Sequence, residues 1–203
     1  MKRTLYVLLL AIPMVLSGCD KEDIDSTSVP PQYIDFARIN SWIGSSVDNV
    51  DNELLQLGFV KEDGYDNYTY LSEEPYYFVS CGTFSTDGIV QGANTQYITN
   101  ADSYSITFEV FKDCVRQERQ LFNDNNLEYS SGKIRWVNTD DDEDHTENHD
   151  SYEALLSAAA GISDKRYVEL DWTDYYSDRT AFTRTYYDNR GLQGITMVVE
   201  KRQ

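Results

Sequence analysis

Thr180-Ala181-Phe182-Thr183-Arg184-Thr185-Tyr186-Tyr187, then Asp188-Asn189-Arg190-Gly191, then Gly194-Ile195-Thr196-Met197-Val198-Val199-Glu200-Lys201, reads as two strands joined by a tight turn. β-Branched and aromatic residues fill both arms. Asn and Gly between them tolerate the positive φ of a hairpin turn. The end of the chain is therefore antiparallel sheet.

Further strands are read outward from this hairpin. Tyr167 to Trp172 precedes it, and Gly132 to Val137 is a shorter candidate. Tyr68 to Leu71, Tyr76 to Phe84 and Ser105 to Lys112 are rich in the same residue types, bounded by Gly64, Glu74-Pro75 and Asp102-Ser103. Lys112 to Phe122 reads two ways. Val115, Arg119 and Phe122 suit a helix, whereas Cys114 and Val115 could extend the strand before them.

Two helices interrupt the strands. Val47, Val50, Leu54 and Leu57 recur at three- and four-residue steps, with Ser45 and Asp48 as a capping box and Gly58 as a left-handed stop. Asp150 and Glu153 open the second, Tyr152, Leu155, Leu156 and Ala159 form its face, and Gly161 closes it. Ile106 to Lys112 matches Ile195 to Lys201 at Ile, Thr, Val and Lys. These features predict an α+β fold of antiparallel sheets, each covered by a helix, arranged as two tandem helix-plus-three-strand units at about 42–112 and 150–203. The layout resembles small periplasmic inhibitor and assembly-lipoprotein folds of the β-lactamase-inhibitor-protein kind, a resemblance of plan that does not fix function.

Composition bounds the function. The chain has 203 residues, 17 basic and 35 acidic, for a net charge of −18. Such a balance argues against nucleic acid, whose phosphates call for a basic footprint. Aromatic residues at 13% exclude wholesale disorder. Residues 32–203 are long enough for one folded domain with a substantial core.

The N-terminus supplies an address. Lys2 and Arg3 precede an apolar stretch, Leu5 to Leu16, too short for a stable transmembrane helix. Leu16-Ser17-Gly18-Cys19 resembles the lipobox of bacterial lipoproteins, with residues 1–18 as signal peptide. The resemblance implies cleavage before Cys19 and acylation of that residue (palmitate or a similar chain), hence a membrane partner. Asp20, Lys21, Glu22 and Asp23 resemble the acidic export signal of Bacteroidetes surface lipoproteins, and Asp25-Ser26-Thr27 resembles an O-glycosylation site of the same bacteria. Residues 19–31, ending in Pro30-Pro31, then read as a flexible tether. The implied location is the outer membrane, facing the cell exterior.

No chemical motif stands out in the folded part. Asp140 to Asp150 clusters carboxylates, but a Ca²⁺ loop starting at Asp140 would place His145 at the turn glycine and Ser151 at the bidentate Glu. It reads as a solvated acidic loop. His145 and His149 are spaced like zinc-protease ligands, yet Thr146 follows the first histidine where Glu is required. No metal or other cofactor is expected. No nucleophile elbow, P-loop or dinucleotide fingerprint is present. Cys81 and Cys114 admit either a disulfide or two buried thiols.

Tyrosine, at 16 residues, is the surplus. Adjacent strand residues point to opposite faces, so one ring of each adjacent pair should face outward. Tyr68, Tyr70, Tyr77, Trp172, Tyr175 and Tyr187 are the candidate ligand-binding residues. The expectation is a lipid-anchored surface module, not an enzyme, that binds a glycan or a protein. A small carboxylate-dependent hydrolase or lyase, or an inhibitor-like accessory of an envelope complex, is the alternative.

Overall fold

The computed structural model describes residues 34–62, 66–73, 76–100, 104–122, 126–139, 143–162 and 165–202. The signal peptide, Cys19, Asp20 to Asp23, Asp25 to Thr27, the tether and Asp140 to Asp142 lie outside the described residues.

Two short helices come first, α1 (Phe36–Trp42) and α2 (Val47–Gln56), followed by β1 (Val60–Lys61), β2 (Asn67–Glu73), β3 (Tyr76–Thr86) and β4 (Ile89–Asn100). A long helix, α3 (Tyr104–Phe122), leads to β5 (Leu127–Val137) and β6 (Asp144–His149). Helix α4 (Tyr152–Ala160) precedes β7 (Tyr167–Tyr176), β8 (Arg179–Asp188) and β9 (Leu192–Lys201).

Two separate helix-covered sheets were the expectation, and the structure overturns it. All nine strands form one antiparallel sheet in the order β1-β2-β3-β4-β9-β8-β7-β5-β6, so the fold is mainly β. The meanders β2-β3-β4 and β7-β8-β9 meet where β4 pairs β9, from Gly92↔Glu200 to Asn100↔Leu192. Nothing local to either strand announces that partner.

Ser105 to Lys112 is a second correction. It belongs to α3, whose buried residues Thr107, Val110, Phe111, Cys114, Val115, Glu118 and Phe122 recur at helical spacing. Ile106, Phe108 and Val110 alternate as a strand would, but the period of the longer segment prevails. The match between Ile106–Lys112 and Ile195–Lys201 therefore pairs a helix with a strand, and residue 112 falls inside α3. Strand β4, which pairs with β3 across the Asp87–Gly88 turn, was not read from the sequence. The acidic run is also not simply a loop, because Asp144 to His149 pairs with β5 as β6.

Local signals set the helix ends with small shifts from expectation. Ser46, not Ser45, caps α2, its Oγ accepting from the Asn49 N–H at 3.3 Å, and Gly58 takes φ +88° as its left-handed stop. Ser151, not Asp150, caps α4, and Gly161 stays right-handed at φ −85°. The Asp188 carboxylate accepts from the Arg190 N–H at 2.9 Å in the β8–β9 turn, and Gly191 has φ +89°.

Helices pack on one side of the sheet. One core cluster joins Phe36, Ile39 and Trp42 of α1 to Val79, Ala93, Met197 and Val199. The other joins Phe111 and Val115 of α3 and Leu155 of α4 to Ile134, Leu170 and Trp172. Gly132 on β5 makes the second cluster fit, since a Cβ there would sit 2.5 Å from Trp172 and 2.7 Å from Leu155. Gly132→Ala should therefore overpack this cluster and destabilise the protein by about 1–3 kcal/mol, read as a lower midpoint in urea or thermal unfolding.

Candidate functional site

Strand alternation sends one set of side chains to the helices and the other to the opposite face. Among the described residues, no helix packs on that second face. Its chemistry varies across the sheet. One register row runs Thr69, Ser80, Gln96 and Thr196 across β2, β3, β4 and β9, then continues as Arg184, Asp171 and Lys133 across β8, β7 and β5. The first half of the row is neutral and the second half charged. In the charged half, Arg184 Nε donates to Asp171 at 2.7 Å, Lys133 Nζ lies 3.2 Å from the same carboxylate, and Tyr167 Oη donates to Glu169 at 2.9 Å. The hydrogen bonds from Arg184 to Asp171 push the guanidinium pKa further up.

Aromatic rings stand at both ends of the strands. Tyr129 and Tyr175 stack at a centroid distance of 4.2 Å toward one end, in the register row that runs through Thr180, Glu200 and Gly92 to the exposed Phe84. Tyr167, Tyr186 and Tyr76 lie toward the other, the first two stacked at 5.9 Å. Two rings lie down across glycines. A Cβ on Gly194 would come within 1.9 Å of the Tyr186 ring, and one on Gly92 within 3.1 Å of the Phe84 ring.

A cleft of about 430 Å³ opens at the Phe84 end, lined by Phe84, Ser85, Thr86, Gln91, Thr180, Glu200, Lys201 and Arg202. A β-bulge makes it. Phe84 pairs with Gly92 and Ser85 with Val90, which leaves Gln91 without a partner on β3. An unpaired bulge residue is re-aimed out of the ladder, and here Gln91 lines the cleft.

The rings singled out in the sequence fall mostly on the other face. Tyr68, Tyr77 and Trp172 are buried, and Tyr70 and Tyr187 are half-buried against the core clusters. Only Tyr175 of the six lies on the uncovered face. The rings missed include the immediate neighbours Tyr76 and Tyr186, together with Phe84, Tyr129 and Tyr167. Adjacent tyrosines signal one inward and one outward ring, and which is which depends on a register set elsewhere.

Cys81 and Cys114 are free and buried, with burial pushing each thiol up to about 12. His145 stacks on Trp136, with Nε2 3.0 Å from Asn138 Nδ2. His149 lies four residues along the same strand, about 13 Å away at strand rise, so the two histidines are not the neighbours that helical spacing would make them.

A buried polar cluster lies beneath the sheet, apart from the cleft. Asp174 on β7 is 0% exposed and accepts from Arg119 Nε at 2.7 Å, Arg119 Nη2 at 3.1 Å, Trp172 Nε1 at 2.8 Å and Ser130 Oγ. Burial alone would raise its pKa, but the Arg119 and Ser130 bonds outweigh burial and hold it below the usual carboxylate value. Arg119 also lies over the Tyr152 and Trp172 rings, at 5.0 and 5.5 Å. Glu118 beside it is 2% exposed, and burial, followed by the Asp174 charge, pushes its carboxyl up to about 9. Two carboxyls split in this way suit acid–base chemistry, but at these exposures neither is presented to a substrate. Their arrangement ties α3 to β7 and β5.

Known protein families, curated proteins and solved structures contain no match to this chain. Its function must be read from the geometry.

The buried pair predicts a pH dependence. Glu118 has an ordinary value of 4.5, so the unfolded chain releases its proton near that pH while the folded protein holds it to about 9. Its contribution to stability is fully present below 4.5 and is lost as the pH rises to 9. Glu118→Gln should flatten that decline in urea unfolding measured from pH 5 to 9. Asp174→Ala should instead destabilise by about 3–5 kcal/mol at neutral pH, because it strands the Arg119 guanidinium.

Proposed function

We propose that the protein is a lipid-anchored cell-surface binding module without catalytic activity, and that the uncovered sheet face is its binding surface. The observation that carries this reading is the one-sidedness of the sheet. Among the described residues, nine strands have helices on one face only, and the other face holds Leu71, Tyr76, Phe84 and Tyr129 exposed. Solvent-exposed aromatic and apolar side chains gathered on one face mark interaction surfaces.

The connection to the N-terminus favours the same reading. Ile34 is buried on the helix-covered side, where its N–H donates to Tyr97 Oη. The described chain thus starts on the covered side of the sheet. Cys19 would carry the lipid, and Asp20 to Asp23 would direct export. More than one acyl chain on Cys19 is what lasting membrane attachment requires.

Labelling cells with a fatty-acid analogue should mark the protein, and Cys19→Ala should abolish the mark. Orientation has its own test. Cys81 and Cys114 are buried, so a Thr69→Cys variant offers the one accessible thiol among the described residues, on the uncovered face. A membrane-impermeant maleimide should label that variant on intact cells. Labelling only after the envelope is opened would exclude the surface location.

A further inference from the structure

We infer that the neutral half of the uncovered face binds an uncharged oligosaccharide, laid along β4 and β9 between the Tyr186 and Phe84 rings. This deepens the binding-module reading and rests on it.

Charge is the first ground. The chain carries 35 acidic and 17 basic residues. Yet the outward positions from Asn67 to Leu71, Phe78 to Phe84, Gly92 to Ile98 and Gly194 to Val198 hold no charged side chain. An anionic partner would find no cation there, and a cationic one would be drawn to the carboxylates that cover the rest of the surface. The patch matches a partner without charge.

Hydrogen-bonding chemistry narrows the class. Thr69, Ser80, Gln96 and Thr196 are contiguous across four strands, with Asn67 and Asn94 in the next row. Hydroxyls and amides both donate and accept. They match sugar hydroxyls, which do the same. A protein interface core centres instead on bulky side chains filling pockets. Here the row midway between the two rings is small and polar, with Leu71, Phe78 and Ile98 in the row toward Tyr186 and Gly82 and Asn94 in the row toward Phe84.

The rings have the right attitude. Gly194 and Gly92 lack the Cβ that would lift Tyr186 and Phe84 off the sheet, so both rings lie across a neighbouring strand. Phe84, lying flat and exposed, offers its electron-rich face, on which the C–H face of a pyranose stacks, while half-buried Tyr186, stacked on Tyr167, presents its edge and hydroxyl end as the far wall. Phe84 is 51% exposed. Along β4, Gly92 pairs with Phe84 and Ile98 with Gly194, six residues apart. At strand rise that is about 20 Å, the reach of a short oligosaccharide rather than one sugar. Beyond the uncharged rows, at the Phe84 end, the cleft adds Gln91 and Thr180 for a terminal unit, with Glu200, Lys201 and Arg202 at its margin.

The test is affinity electrophoresis of the detergent-solubilised full-length protein through gels containing mannan, dextran or laminarin. Polygalacturonate and heparin serve as polyanionic comparators. At least one neutral polysaccharide should retard the protein. Phe84→Ala and Gln96→Ala should each weaken that retardation about fivefold or more in apparent Kd, and Leu121→Ala, on α3, should leave it unchanged. Unaltered melting curves would show the variants folded. No retardation by any neutral polysaccharide, retardation by the polyanions alone, or full retardation of both variants would overturn the inference. Capture of an envelope protein that Phe84→Ala abolishes would overturn the glycan and leave the binding-module reading standing. Surface labelling tests that reading by itself.

Discussion

The pairing of β4 with β9 is the constraint on which the rest of the molecule depends. It runs from Gly92↔Glu200 to Asn100↔Leu192 and joins two meanders that are otherwise far apart in sequence. Without it each meander would expose a free side of ladder groups and half of an apolar face. With it, Ala93 and Tyr97 of one meander and Ile195, Met197 and Val199 of the other share one core beneath α1. The register also decides which residues face outward, because a slip by one residue would exchange the two faces of either meander.

The two faces solve different problems. Below the sheet, bulk is fitted around glycine at Gly132, and the buried Asp174 carboxylate is satisfied by Arg119, Ser130 and Trp172. Above it, Gly92 and Gly194 are used not for close packing of elements but to let rings recline. Aromatic side chains paired across strands with glycine also repair the packing that glycine forfeits in a sheet. One arrangement thus serves stability and shapes the surface.

The sequence made some of this legible and hid the rest for physical reasons. The β8–β9 hairpin, helices α2 and α4 and most strands were readable because their signals are local: turn chemistry, side-chain oxygens at helix starts, and periodicity; the seven-residue α1, though capped by Asp35, was too short to show a period. α3 was misread at its start because Ile106, Phe108 and Val110 satisfy a period of two as well as a helix does, and only the continuation to Phe122 separates the two. The single sheet was not readable, since β4 and β9 find each other across about a hundred residues of chain. The candidate surface was half readable. Adjacent tyrosines at 76–77 and 186–187 announced a ring on each face, but Tyr76 and Tyr186 were distinguishable from Tyr77 and Tyr187 only through long-range register.

Strand β6 carries a consequence beyond its place at the end of the sheet. An open sheet ends in unpaired backbone donors and acceptors, which template association with another chain. At one end β1 is only two residues long. At the other, β6 reads Asp144-His145-Thr146-Glu147-Asn148-His149, with Asp144 and Glu147 well exposed. A second copy approaching this strand would bring like carboxylates together and strip them of water. Wherever copies of the chain are crowded together, such an acidic rim opposes the strand-to-strand pairing that would turn encounters into polymers.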